Sequence, residues 1–174
     1  MVTAYLLQCV EKRLAARCNQ VPTYTASTQK IDITIADRIR EKLTRMEQEK
    51  TLYDLVITYI KRLKDDRFFF KNGNVNASAF YRYACIDKST WTDLCYGQAL
   101  MKKKTILKLI VALRLSEEEA IDFMHRASNG FDPKDIRDQI ILALIDLKCY
   151  EIEDVYDILE EYRKSGHDFE NIYD

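Results

Sequence analysis

The 174-residue sequence has few of the residues that interrupt helices, with only four glycines and two prolines. This scarcity disfavours a many-stranded sheet, which needs frequent turns, and favours long helices. No apolar run approaches the roughly 18 residues of a membrane-spanning helix. The N-terminal stretch also lacks the basic front and the apolar length of a signal peptide. We therefore expect a cytoplasmic, all-α protein with no membrane segment.

The sequence also lacks the patterns of metal, disulfide and catalytic sites. Its cysteines are odd in number and contain no CxxC pair, which disfavours a zinc site or a disulfide framework; they are Cys9, Cys18, Cys85, Cys95 and Cys149. His125 and His167 have no companion ligands near them in the sequence. No glycine-rich phosphate loop or nucleophile motif is present. We predict reduced, mostly semi-buried thiols, no metal or cofactor, and no enzymatic activity.

Helical periodicity recurs along most of the chain, and 47% of the residues are hydrophobic. The pattern predicts a multi-helix bundle with two parts. Residues 1–36 form an N-terminal helix and a linker, because the stretch at 20–30 is polar, contains a proline and has no periodicity. Residues 37–174 form a helical domain, in which Ser116 and Glu119 are spaced as a capping box and Thr105 is expected to cap a helix.

Two short helices joined by a tight turn are predicted at residues 76–97. The first carries apolar or small residues at helical spacing, and Asp87 offers an N-cap for the second. The second helix divides into two faces. One face is apolar and contains Trp91, Leu94 and Cys95, with Trp91 as the core anchor. The other face is mostly polar and contains Lys88, Ser89, Thr92, Asp93 and Tyr96.

The segment ACIDKSTWTDL resembles the turn of the phage-repressor-like (XRE-type) helix-turn-helix family. The positions that match the family pattern are Ala84, Ile86, Ser89, Thr90, Trp91 and Leu94. The sequence departs from the pattern at Cys85, where the family has glycine, and at Asp87, where it has serine. Within this family, residues 37–162 are similar to a group of bacterial and prophage proteins of unassigned role. The resemblance implies an all-α fold with a helix-turn-helix at about 76–97, and it implies DNA binding.

Charge is distributed unevenly along the chain although the net charge is only −1. Residues 1–50 carry 9 basic and 6 acidic groups, a charge of +3. Residues 51–115 carry 12 basic and 5 acidic groups, a charge of +7, whereas residues 116–174 carry 6 and 17, a charge of −11. The basic part therefore suits a phosphate backbone, and the acidic part suits another partner or promotes solubility.

The first functional hypothesis is a DNA-binding regulator, or another DNA-associated module, of a prophage or mobile element. The expected contacts to double-stranded DNA fall in two sets. The helix contributes groove contacts from Lys88, Ser89, Thr92 and Tyr96. The following loop contributes phosphate contacts from Lys102, Lys103 and Lys104. Asp93 opposes this hypothesis because its carboxylate repels phosphate unless it accepts a hydrogen bond from cytosine.

The second hypothesis is a protein-interaction module that reuses the same fold, such as a phage-encoded inhibitor of a host protein. Its partner would bind the helix-turn-helix face or the acidic C-terminal helices. A homodimer through residues 1–50 is compatible with either hypothesis, and the sequence leaves both open. It also leaves open whether Phe68, Phe69 and Phe70 form a buried corner or a partner patch. Residues 167–174 are predicted to be a mobile tail.

Overall fold

The computed structural model describes residues 7–10, 38–40, 51–97 and 101–174, and these residues are helices, turns and loops without a β-strand. The predicted all-α fold is therefore confirmed for this part of the chain. Residues 7–10 and 38–40 are helical. The linker at 20–30, the boundary at 36 and 37, Cys18 and most of the proposed dimer segment lie outside the described residues.

Seven α-helices and one 3-10 turn occupy residues 51–97 and 101–174. They are α1 (Leu52–Leu63), the 3-10 turn (Asp66–Phe68), α2 (Ala77–Tyr83), α3 (Lys88–Tyr96), α4 (Lys103–Ala112), α5 (Glu117–Arg126), α6 (Ile136–Asp146) and α7 (Ile152–Lys164). Helix α3 packs on α1 and α2, and the helices from α4 to α7 pack on one another in sequence order. None of the helices among the described residues combines the length and apolar character needed to cross a bilayer.

Helices α4 and α6 form the centre of the core. Ile106, Leu109 and Ile110 of α4 are fully buried, as are Ile140 and Ile141 of α6. Each such side chain contributes about 1.5–3 kcal/mol of burial free energy relative to an exposed one. The apolar residues on several sides of α4 are therefore explained by a helix that other helices surround.

Side chains fix several helix starts. The capping box predicted for α5 is confirmed, since the Ser116 hydroxyl accepts from the Glu119 amide and the Glu119 carboxylate accepts from the Ser116 amide. Thr51 and Asp54 form a second capping box at α1. The prediction that Thr105 caps α4 is wrong. The helix begins two residues earlier, and the Thr105 amide already donates to the Lys102 carbonyl at 2.9 Å.

The three consecutive phenylalanines have different surroundings. Phe68 is buried against Phe80, with ring centroids 5.3 Å apart. Phe69 is half-buried and forms an isolated antiparallel bridge with Val75, whereas Phe70 is 53% exposed. The segment is therefore a buried corner at Phe68, and Phe70 lies on the surface.

The prediction of a mobile C-terminal tail is wrong. Asn171 and Ile172 are fully buried. The Asn171 amide donates to the Glu160 carboxylate at 2.9 Å, and the Arg163 guanidinium donates to the Asp174 carboxylate at 3.0 Å. Residues 167–174 therefore pack along α7, because Asn171 and Ile172 are buried and the neighbouring Phe169 and Tyr173 pack against the core.

Candidate nucleic-acid interface

The turn between α2 and α3 has a left-handed residue at its centre. Cys85 has φ 53°, and the Ile86 amide donates to the Tyr81 carbonyl at 2.8 Å, which closes the end of α2. This conformation costs L-residues about 1–2 kcal/mol, and glycine adopts it without strain. Cys85 stands at the position where the family pattern in the sequence analysis has glycine, the residue that adopts this conformation without strain.

Helix α3 begins and ends where the sequence predicts. Asp87 occupies the N-cap position with an extended backbone, but its carboxylate makes no capping hydrogen bond. Gly97 lies at the C-terminal end with φ 62°, and its amide donates to the carbonyls of Asp93 and Leu94. Glycine suits this position because it tolerates the left-handed conformation that ends a helix.

Trp91 holds α3 against the body of the protein. It is 5% exposed and contacts three aromatic rings. The ring centroid distances are 6.1 Å to Tyr53, 5.8 Å to Phe80 and 6.1 Å to Tyr81. Tyr53 belongs to α1 and the other two belong to α2, so the indole connects three helices. The prediction that Trp91 is a core anchor is confirmed.

The opposite face of α3 is exposed. Lys88, Ser89 and Thr92 are exposed, and Tyr96 is 71% exposed. The Thr92 hydroxyl donates to the Lys88 carbonyl at 2.8 Å, so its proton is used within the helix and its oxygen remains an acceptor. Asp93 is exposed on the same helix. These five side chains can contact a ligand without rearrangement of the helix.

The three consecutive lysines after α3 have different surroundings. Lys102 is exposed. The Lys103 ammonium forms an ion pair with Asp138 and lies 3.9 Å from the Asp135 carboxylate. The Lys104 ammonium donates to the Glu170 carboxylate at 2.7 Å and to the Asp174 carbonyl at 2.6 Å. Lys102 is therefore exposed to solvent, whereas Lys103 and Lys104 are paired with carboxylates of the same chain.

Lys103 is held by its ion pair with Asp138. The Asp138 side chain is fully buried, and it accepts a hydrogen bond from the Asp132 amide at 2.7 Å in addition to the Lys103 pair. Burial raises the pKa of Asp138, and the hydrogen bond from Lys103 opposes that rise. An uncompensated charge at this depth would be strongly destabilising. Lys103 is therefore a structural partner of Asp138 in this fold.

Lys108 contacts the turn before α3, a role that the sequence patterns did not predict. Its ammonium donates to the Cys85 carbonyl at 2.8 Å and lies 5.6 Å from the centroid of the Tyr173 ring. Burial lowers the pKa of Lys108. A charged residue between Leu107 and Leu109 of an enclosed helix is the signal that could have suggested this role. Lys108 ties α4 to the turn that orients α3.

A groove of about 390 Å³ lies beside the start of α4. Its charged lining includes lysines and carboxylates, namely Lys102, Lys104, Lys108, Asp87, Asp93 and Asp174. The groove therefore has mixed charge, and its cations lie next to acidic side chains from both the turn and the C-terminal segment.

The four described cysteines are free thiols. Cys9 and Cys149 are half-buried, but Cys85 and Cys95 are exposed. The prediction that Cys95 lies on the buried side of α3 with Trp91 is therefore wrong. Within the described ranges, no group of three or more potential metal ligands is close enough to hold an ion.

Comparisons with protein-family models, with curated proteins and with solved structures found no match. The resemblance to the repressor-like helix-turn-helix family therefore stays a prediction.

Proposed function

We propose that the protein binds double-stranded DNA through a helix-turn-helix formed by α2 and α3, with α3 as the recognition helix in the major groove. On the resemblance to bacterial and prophage proteins, the proposal extends to a cytoplasmic regulator or DNA-associated module of a prophage or mobile element. A dimer through residues 1–50 would allow two such units to contact adjacent half-sites.

The observation that carries this proposal is the arrangement of α3. Its polar face is exposed while Trp91, on the opposite face, is 5% exposed and packed among rings of α1 and α2. A short helix that is rigidly held from behind and free in front is the element that enters the groove in this class of protein. The formal charge of +7 over residues 51–115 supplies the attraction to phosphate.

The residue types on α3 favour backbone contacts over base readout. The helix sequence KSTWTDLCY contains no arginine, asparagine or glutamine, which make the strongest bidentate contacts to bases. Lys88 and Lys102 are placed to pair with phosphates, and Ser89 and Tyr96 have hydroxyl groups that can donate to them. We therefore expect moderate affinity, strong salt dependence and modest sequence preference.

Charge-neutralising variants test this proposal. Lys88→Gln and Lys102→Gln should each weaken binding to a mixed-sequence duplex and reduce the slope of log K against log salt by about 0.9. Lys71→Gln is the matched control, because Lys71 is also an exposed lysine and lies in the turn before α2. If Lys71→Gln weakens binding as much as Lys88→Gln does, the binding is diffuse and α3 is not the contact surface.

A second candidate function is a protein-interaction module, such as a phage-encoded inhibitor that binds a host protein. Asp93 is exposed on α3, and two of the three consecutive lysines are paired within the chain. A surface of this kind suits a protein partner of mixed charge, and the acidic helices α5 to α7 suit a basic one. A pull-down from host extract that recovers no stoichiometric partner would count against this candidate.

A further inference from the structure

We propose that the Glu170 carboxylate competes with DNA phosphate for Lys104, so that the C-terminal segment (residues 167–174) lowers the affinity of the recognition surface. The inference rests on the proposed DNA-binding function and adds a regulatory contact to the same site. It follows from where the segment is anchored, from which atoms it presents to Lys104, and from how easily that contact can be exchanged.

The segment is held in place independently of Lys104. Ile172 is fully buried, and the buried Asn171 amide donates to the Glu160 carboxylate at 2.9 Å. The Asn171 side-chain oxygen in turn accepts from the Tyr173 amide at 3.1 Å. Because these contacts are to α7 and within the segment, Glu170 is carried to the start of α4 by the fold itself.

The contact to Lys104 has the chemistry of a lysine–phosphate pair. A Glu170 carboxylate oxygen lies 2.7 Å from the Lys104 ammonium, the distance of a charge-assisted hydrogen bond. The same hydrogen bond lowers the pKa of Glu170. A phosphate oxygen approaching the start of α4 would occupy the same position on the ammonium. In the absence of DNA the carboxylate therefore occupies this position and offsets the Lys104 charge, so a phosphate that binds at the same position must displace it.

The exchange needs only a local change. The Glu170 side chain is 66% exposed and that of Lys104 is 22% exposed, so the carboxylate can rotate into solvent while the buried anchors stay in place. The Lys104 ammonium can keep its hydrogen bond to the Asp174 carbonyl, because it has three donors. The Glu170–Lys104 contact therefore lowers the affinity for DNA but leaves the rest of the recognition surface accessible.

The test compares Glu170→Gln with wild-type protein in equilibrium binding to a mixed-sequence duplex over a range of salt concentrations. If Lys104 gains one phosphate contact, the slope of log K against log salt steepens by up to about 0.9, which is a gain in affinity of up to about eightfold at about 0.1 M salt. Asp168→Asn is the matched control, because it makes the same charge change at an exposed carboxylate of the same segment.

A second pair of variants separates the Lys104 contact from general charge effects. In a Lys104→Gln background, Glu170→Gln should give no gain, because the competing cation is absent. The inference is overturned if Glu170→Gln binds like wild type, if Asp168→Asn gives an equal gain, or if the gain persists without Lys104. If the wild-type protein still binds DNA in any of these cases, only the inference about Glu170 fails and the proposed function is unaffected. If neither wild-type protein nor Glu170→Gln binds DNA, both the inference and the proposed function fail.

Discussion

The Lys103 ammonium pairs with the Asp138 carboxylate, which is fully buried at the N-terminal end of α6. This pair divides a run of three lysines that looks uniform in the sequence. Lys103 is held by α6, Lys104 is held by the C-terminal segment, and Lys102 is exposed. The DNA-binding proposal therefore depends on Lys102 and Lys88, and it assigns no phosphate contact to Lys103.

Lys103→Gln should lower the free energy of unfolding by up to about 3 kcal/mol, because it removes the ammonium that pairs with the buried Asp138 carboxylate and leaves only Arg137, 4.0 Å away, as a cationic neighbour. Chemical denaturation at neutral pH measures this change. Lys102→Gln is the control, and it should change stability by no more than about 0.5 kcal/mol because its side chain is exposed. Equal stability of the two variants would show that the Lys103–Asp138 pair does not support the fold.

The contribution of Glu119 to the stability of the fold depends on pH. The hydrogen bond from Arg62 is the main reason that the pKa of Glu119 lies below its ordinary value of 4.5. Proton binding is therefore weaker in the folded state than in the unfolded state. The stabilisation is complete above the unfolded value of 4.5 and is lost as the pH falls through the lower folded pKa.

Glu119→Gln tests that pH dependence, because glutamine can still form the capping box. The variant should be about 0.5–1 kcal/mol less stable than wild type at pH 7, since the side chains of Arg62 and Glu119 are both partly exposed to solvent. The difference should shrink as the pH falls below 4.5 and through the lower folded pKa of Glu119. Denaturation of both proteins across this range measures it, and a difference that stays constant with pH would contradict the role of the Glu119 charge.

Cys85→Gly should raise the stability by about 0.5–1 kcal/mol. Glycine relieves the left-handed strain at φ 53°, although it also increases the entropy of the unfolded chain. Cys85→Ala is the control that removes the thiol but keeps the Cβ atom, and it should give no gain. Thermal unfolding under reducing conditions compares the three proteins. A gain for alanine equal to that for glycine would mean that the thiol, and not the backbone, is unfavourable.

Ile172→Ala tests whether the C-terminal segment is part of the fold. Its side chain is fully buried, so truncation should cost about 2–4 kcal/mol. The comparison with Phe169→Ala, a half-buried neighbour in the same segment, should show a smaller loss. Denaturant unfolding gives both values. A change below about 0.5 kcal/mol for Ile172→Ala would restore the sequence-based expectation of a mobile tail.

Local patterns predicted the parts of this fold that local contacts determine. The capping box of Ser116 and Glu119 and the buried face at Trp91 depend on spacings of three or four residues, which a sequence displays directly. The left-handed backbone at Cys85 was not predicted, since cysteine itself gives no indication of it; the sequence showed only that Cys85 stands where the family pattern has glycine.

The parts that could not be predicted depend on long-range pairs. Lys103 meets Asp138 across 35 positions and Lys104 meets Glu170 across 66 positions. Neither lysine has a local signature that distinguishes it from Lys102. The tail was expected to be mobile because it is the terminal stretch after the last predicted helix. Its anchors are tertiary contacts, such as the hydrogen bond from Asn171 to Glu160 of α7, which the local sequence does not show.

The most direct test of the central claim is a map of the DNA contact surface by backbone amide chemical-shift changes in the full chain. A mixed-sequence duplex is added at low salt, and the change at each assigned amide is measured. We expect the largest changes in α3, from Lys88 to Tyr96, and at Lys102. Largest changes on the acidic helix α7, or no changes at any duplex concentration up to the millimolar range, would contradict DNA binding through α3.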